Sequence, residues 1–264
     1  MHDSFETLGI DRPSPHVMVI TLDRADAANA MNTSMGLELT QIFEGFSIDA
    51  QDLRCVVVTG QGDRVFCAGG DLKERKGMSD AQWQAQHAIF ERMIRAVMGC
   101  PIPTIAAING AAYAGGCEMA AACDFIYAAD TARFALTEVT LGIMPGAGGT
   151  QTLARAVGSR RAKEIILTGL PITAAEAEAW GLVNKVCTAG SLLETTLETA
   201  TRIAGNAPIA VRQAKQSIQR GLDMSIWDGL AYEIEAYNRL VPTQDRLEGV
   251  LAFNEKRKPV FVGK

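Results

Sequence analysis

The sequence predicts an α/β fold whose larger first part alternates strands, glycine turns and helices, followed by a part built of helices alone. Three observations carry this expectation. Short β-branched apolar runs recur through the first half, each closed by glycine. Between them lie stretches with apolar residues three and four apart, and from about Ser159 only this helical spacing remains. The 264 residues suffice to bury a large core, and no linker rich in Pro, Gly or Ser divides the two parts.

The elements follow in order. Val17-Met18-Val19-Ile20-Thr21-Leu22 is a buried strand. Asn32 or Thr33 caps a helix whose apolar face is Met35, Leu39, Ile42, Phe43 and Phe46. Cys55-Val56-Val57-Val58-Thr59 is a second strand, closed by Gly60 and Gly62. Ser79 and Gln82 form a capping box before a helix that turns Phe90, Met93, Ile94 and Val97 to one side. Residues 103–108 are a third strand, Gly115-Gly116 opens a helical run over 117–122, and 124–128 and 133–136 are further strands. In the second part, Thr173 and Glu176 make another capping box, and Pro208 fits the first turn of a helix reaching Gly221. Residues 226–240 form a longer helix, and Thr243 starts a last one through Phe253.

Composition excludes several classes. Hydrophobic residues at 48%, charged residues at 21% and a net charge of −5 are ordinary for a globular chain and give no basic footprint for nucleic acid. No charge-free apolar run is long enough to span a membrane, since residues 101–123 are broken by Asn109 and Glu118. The first six residues are acidic and lack the apolar core of a signal peptide, which with the cysteines points to the cytoplasm. Cys55, Cys67, Cys100, Cys117, Cys123 and Cys187 contain no C-x-x-C pair and sit mostly in apolar runs, as buried thiols of a reducing compartment do.

Of three histidines, His2, His16 and His87, none is expected near a glycine turn, so an imidazole-centred catalytic site is not expected. Neither His nor Cys clusters with metal-ligand spacing, and the phosphate-binding glycine loops are absent, so no metal and no nucleotide cofactor is expected. What stands out is a set of glycine turns with acidic residues behind them: 66–72, 109–118 and 138–150. Two such turns entering helices can aim two N–H groups at one developing oxyanion, or they can serve only as tight connections. Glu118 lies in an apolar helix start, Gly-Gly-Cys-Glu-Met-Ala-Ala-Ala-Cys. A carboxylate buried there is paired, used, or favoured by the helix dipole. Glu138, near Pro-Gly-Ala-Gly-Gly, is its candidate partner.

Phe-Cys-Ala-Gly-Gly-Asp-Leu at 66–72, Gly-Gly-Cys-Glu at 115–118 and Glu-x-x-Leu-Gly-x-x-Pro-Gly-Ala-Gly-Gly-Thr at 138–150 resemble, in order and spacing, the crotonase or enoyl-CoA hydratase/isomerase superfamily. The resemblance covers nearly the whole chain. It implies a spiral of ββα turns over residues 1–190, carrying CoA and the active site, then a helical trimerisation region over 191–264 that assembles a homohexamer as a dimer of trimers. An apolar stripe of Ile226, Leu230, Ile234, Tyr237 and Val241 fits such a region. The resemblance also implies Glu118 and Glu138 as the catalytic carboxylates, with the amides of Gly70 and Gly115 as the oxyanion hole. It places substrate contacts at Ala68, Gly70, Asp71, Gly146, Phe253 and Lys256, the last two closing over CoA.

The implied activity is hydration of a 2-trans-enoyl-CoA to a 3-hydroxyacyl-CoA, with CoA as part of the substrate and no separate cofactor. Two carboxylates favour a hydratase over an isomerase; by family analogy Glu118 activates water and Glu138 supplies the proton, roles the sequence itself does not separate. Tyr113-Ala114 stands where many members have Ala-Leu, a change in the acyl pocket. Residues 67–76 and 242–257 look especially like methylglutaconyl-CoA hydratases, which implies short or branched acyl groups and places in fatty acid metabolism or branched-chain amino acid degradation. Lys73, Arg75 and Lys76 suit an acyl carboxylate, a solvated helix face or CoA phosphates. The same subgroup includes a form that binds RNA through a lysine-rich helix; residues 32–52 contain no Lys or Arg, which argues against a non-catalytic RNA-binding role.

Overall fold

The computed structural model describes residues 5–264; His2 and the first four residues of the acidic N-terminal segment lie outside the described residues. The chain runs β1 (Leu8–Ser14), β2 (Val17–Leu22), α1 (Thr33–Ile48), β3 (Cys55–Gly60), β4 (Val65–Cys67), α2 (Leu72–Arg75), α3 (Asp80–Gly99), β5 (Thr104–Ile108), β6 (Ala111–Tyr113), α4 (Gly115–Ala122), β7 (Phe125–Ala129) and β8 (Arg133–Ala135). It continues through α5 (Gly149–Val157), α6 (Ser159–Thr168), β9 (Ile172–Thr173), α7 (Ala174–Ala179), β10 (Lys185–Cys187), α8 (Leu192–Ala204), α9 (Pro208–Gly221), α10 (Ile226–Asn238) and α11 (Gln244–Asn254).

Two sheets result. A six-stranded sheet has the order β1-β2-β3-β5-β7-β10, and a four-stranded one β4-β6-β8-β9. Successive turns of chain place one strand in the large sheet, the next in the small sheet, then a helix, so the expected ββα spiral is present. Side-chain alternation explains why the large-sheet strands read as continuous apolar runs. Val17, Val19, Cys55, Val57, Ile105 and Ala107 face α8 through Leu192, Ala200 and Ala204. Met18, Ile20, Leu22, Val56, Val58, Ala106 and Ile108 face α1 and α3 through Leu39, Phe43, Met93 and Val97. With both faces covered, no polar alternation is left to see.

The expectation of helices alone beyond Ser159 is corrected. β9 pairs antiparallel with β8, and β10 adds a parallel edge to β7. Runs of two and three residues are too short to show a period of two. For the same reason β4 and β6, three residues each, are not legible as strands, and β1 escapes because most of its residues are exposed. The predicted helix starts hold: Asn32 Oδ1 accepts from Met35 N, and both capping boxes form. Among the described residues no helix is long and apolar enough to cross a membrane.

The register of the small sheet locates the site. β4, β6 and β8 are parallel, with Cys67 opposite Ala112 and Tyr113 opposite Ala135. Their C-terminal ends therefore emerge side by side and bring together the turns at Gly69-Gly70, Ala114-Gly115 and Thr137-Glu138.

Candidate active site

Beyond β4 the chain turns at Gly69, where a φ of +96° favours glycine and a Cβ would stand only 2.7 Å from the Ala114 Cβ. The turn is clamped by Met31, whose N–H donates to Gly69 O and whose carbonyl accepts from Asp71 N, both at 2.8 Å. Among the described residues this pairing leaves the Gly70 N–H without a protein acceptor. Beyond β6, Ala114 takes φ 48° and ψ −126°, a sparsely populated conformation costing about 1–3 kcal/mol. It turns the first amide of α4, that of Gly115, outward, and this amide too has no acceptor among the described residues. Two unspent donors thus stand close together, as an oxyanion hole requires.

Glu118 follows within the first turn of α4 and is buried. Its Oε1 accepts from Ala147 N and Gly149 N, each at 2.8 Å. A Cβ on Gly149 would stand 2.9 Å from that oxygen, so this approach needs glycine. Burial pushes the Glu118 carboxyl up, and the Gly149 and Ala147 amides oppose it by favouring the anion. Glu138 is placed by the 3-10 turn after β8 and is also buried, yet among the described residues neither of its carboxyl oxygens has a hydrogen-bond partner. Its carboxyl is pushed up to about 7, chiefly by burial, against its own backbone amide and with added repulsion from Glu118. Burial thus raises both carboxyls, and they differ in that two amides oppose the rise at Glu118 while Glu138 has no such pair.

Both face a cavity of about 630 Å³, which Ala68, Gly70, Gly115 and Gly146 also line. Of the other expected contacts, Asp71 does not line it. Burial raises the Asp71 carboxyl, but hydrogen bonds from Arg24 and the Glu74 and Lys73 amides outweigh this and hold it below the usual range. Asp71 caps α2 and pairs with Arg24 Nη2 at 2.9 Å. Phe253, in the last turn of α11, and Lys256, just beyond it, are exposed and outside the cavity. The expectation that no histidine lies beside a glycine turn is overturned: His87 on α3 packs against Gly146 and lines the cavity. Sequence could not show it, because α3 meets the 143–149 loop only in the folded chain. Trp83 and Arg75 join the same wall, and neither Met31 nor Asn29, which braces the β3–β4 connection through Gln61 O and Val65 O, carried a signal. Among the described residues no group of His, Cys, Asp or Glu could hold a metal ion. All six cysteines are free and buried, and burial pushes Cys55 and Cys67 up to about 12, which keeps these two as inert thiols.

A ββα spiral that sets paired amides opposite paired carboxyls defines an enzyme of the crotonase type. The enoyl-CoA hydratase/isomerase family model matches residues 13–264, and the chain belongs to that family. The putative enoyl-CoA hydratase/isomerase YngF of Bacillus subtilis is 44% identical over 248 residues, 94% of this chain and 95% of its own. The short-chain-enoyl-CoA hydratase of Clostridium acetobutylicum is 41% identical over 242 residues, 92% of each chain. The crystal structure of an enoyl-CoA hydratase from Bacillus anthracis matches with a TM-score of 0.96 at 44% identity, covering 98% of this chain and all of that one.

The raised Glu138 carboxyl has a consequence for stability. Below pH 4.5 it is protonated folded and unfolded; as pH rises toward about 7, only the unfolded chain releases the proton. Folded-state stability from this group is therefore full at low pH and declines over that window. Glu138→Gln removes the decline, so the variant gains thermal stability relative to the parent as pH rises from about 4.5 to about 7. Melting temperatures of both proteins across that range check this, and parallel curves contradict it.

Proposed function

We propose that the protein is an enoyl-CoA hydratase that adds water across a short-chain 2-trans-enoyl-CoA to give the 3-hydroxyacyl-CoA, branched methylglutaconyl-type chains included. One observation carries the reading: a buried carboxyl without a partner, Glu138, shares a cavity with Glu118 and with the unspent amides of Gly70 and Gly115. The thioester carbonyl accepts from the two amides, which stabilise the enolate oxygen as charge develops; such a donor is worth about 2.7–4 kcal/mol in catalysis. A water held between the carboxyls gives a proton to Glu118 as its oxygen bonds Cβ. Glu138, protonated near neutral pH, delivers a proton to Cα. Gly146 borders the place of that water, and Ala68 the path of CoA. The reaction moves only water and a proton, so the reading calls for no separate cofactor, and CoA enters as part of the substrate. An isomerase needs one acid and leaves the second carboxyl idle; the opposed environments of the two favour hydration. No nucleic-acid partner is proposed, because α1 carries no Lys or Arg.

Glu118→Gln and Glu138→Gln keep shape while removing a proton acceptor or donor. Each single change should lower kcat by ~10²–10⁴-fold, and the double change by much less than the product. Near-normal hydration by Glu138→Gln contradicts the two-carboxyl mechanism.

Residues 1–190 act here as the substrate-binding core and 191–264 as an assembly region that makes a homohexamer. Ile226, Trp227, Leu230, Ile234, Tyr237 and Val241 are exposed along and just beyond α10. Such a surface is covered by another copy, and Phe253 and Lys256 then reach a neighbour's CoA. Light scattering at micromolar concentration should return six protomers; a monomer contradicts it.

A further inference from the structure

We infer that Arg75 is a specificity residue for an acyl chain ending in a carboxylate, so that the preferred thioester is a short dicarboxylic one. This rests on the hydratase reading for where the acyl chain lies. Arg75 ends α2 and lines the cavity beside Gly70, where a Cβ would stand 3.4 Å from Cζ and 3.6 Å from both Nη atoms. Its guanidinium stacks 4.3 Å from the Trp83 ring centroid, with Phe90 at 5.5 Å. Nε donates to Gln86 Oε1 at 2.7 Å, and the buried Gln86 is itself fixed by its donation to Thr33 Oγ1 at 2.9 Å and Glu74 Oε2 at 2.7 Å. One edge and one face are thus committed to orientation, and the Nη1–Nη2 edge has no protein partner among the described residues.

The neighbouring carboxylate does not neutralise it. Glu74 is turned to the start of α1, accepting from Thr33 N at 3.0 Å and from Gln86. Burial lowers the proton affinity of Arg75, with the nearby Glu74 charge acting the other way, so the cation is half-buried and, among the described residues, makes no direct ion pair. A planar fork held by stacking, with its free edge on a cavity, is the geometry that takes a carboxylate in two parallel hydrogen bonds. Lys73 and Lys76, the other cations of this run, are exposed and outside the cavity lining. They are solvated, whereas Arg75 lies next to the amide that receives the thioester oxygen, within reach of the far end of a short acyl chain.

The test compares glutaryl-CoA with valeryl-CoA, saturated thioesters that bind without reacting, by calorimetry in the full-length protein. Turnover of glutaconyl-CoA and 2-pentenoyl-CoA is measured alongside. The parent protein should bind the carboxylate-ended chain about tenfold or more tighter than the neutral one. Arg75→Leu should abolish or invert that ratio, and Arg75→Lys should keep part of it. An absent preference in the parent overturns the assignment whatever the variants do. Equal weakening of both thioesters in Arg75→Leu also overturns it, because the residue then serves the CoA portion they share. If neither enoyl thioester is hydrated while the calorimetric preference and its loss in Arg75→Leu persist, the Arg75 assignment stands and the hydratase reading falls.

Discussion

The parallel register of β4, β6 and β8 is the constraint on which the site depends. Three strands of three residues each could hardly persist alone, yet their aligned ends set the positions of Gly70, Gly115 and Glu138. The bridge of Met31 across Gly70 and the αL-like φ of Ala114 then fix the direction of each amide. Strain at Ala114 is tolerated because its N–H and carbonyl are both engaged, to Ala135 O and from Cys117 and Glu118 N. The large sheet, with its two apolar faces, supplies the burial that holds the small one in place.

The chemistry follows from an asymmetry that this scaffold imposes on two like groups. Glu118 receives two amides from the loop leading into α5, which oppose part of the upward push of its burial without cancelling it. Glu138 is buried without such donors and keeps its proton to about pH 7. Two carboxyls of the same intrinsic strength thereby stand in different surroundings, which is what the proposed division of acid and base work rests on. The cavity wall built by α2 and α3 adds a third element, the Arg75 guanidinium held on Trp83 beside Gly70, on which the proposed selection of the acyl chain rests.

Much of this was legible in the residues, for physical reasons that also explain what was not. Val17–Leu22 and Cys55–Gly60 read as strands because burial on both faces leaves only apolar side chains. Ser79 with Gln82 and Thr173 with Glu176 announced helix starts through local hydrogen bonding that needs no tertiary contact. β4, β6, β9 and β10 were hidden because their stability comes from neighbours distant in sequence. Glu118 could be singled out as an acid in an apolar run, but its donors, Ala147 N and Gly149 N, are backbone atoms some thirty residues away and leave no side-chain signal. Arg75 sat in a charged run that resembles any solvated face; its stack on Trp83, its hydrogen bond to Gln86 and its place in the cavity wall set it apart from Lys73 and Lys76. His87 was misplaced for the same reason, since contact with Gly146 is a property of how α3 packs.

The central claim is that the amides of Gly70 and Gly115 act together on one thioester oxygen. Infrared difference spectroscopy of butyryl-CoA labelled with ¹³C at the thioester carbonyl observes that oxygen directly, without turnover. Two preorganised donors polarise the carbonyl and weaken its double bond, so binding should move the labelled stretch to clearly lower frequency than in water. A bound carbonyl whose stretch stays at or above its frequency in water contradicts the account.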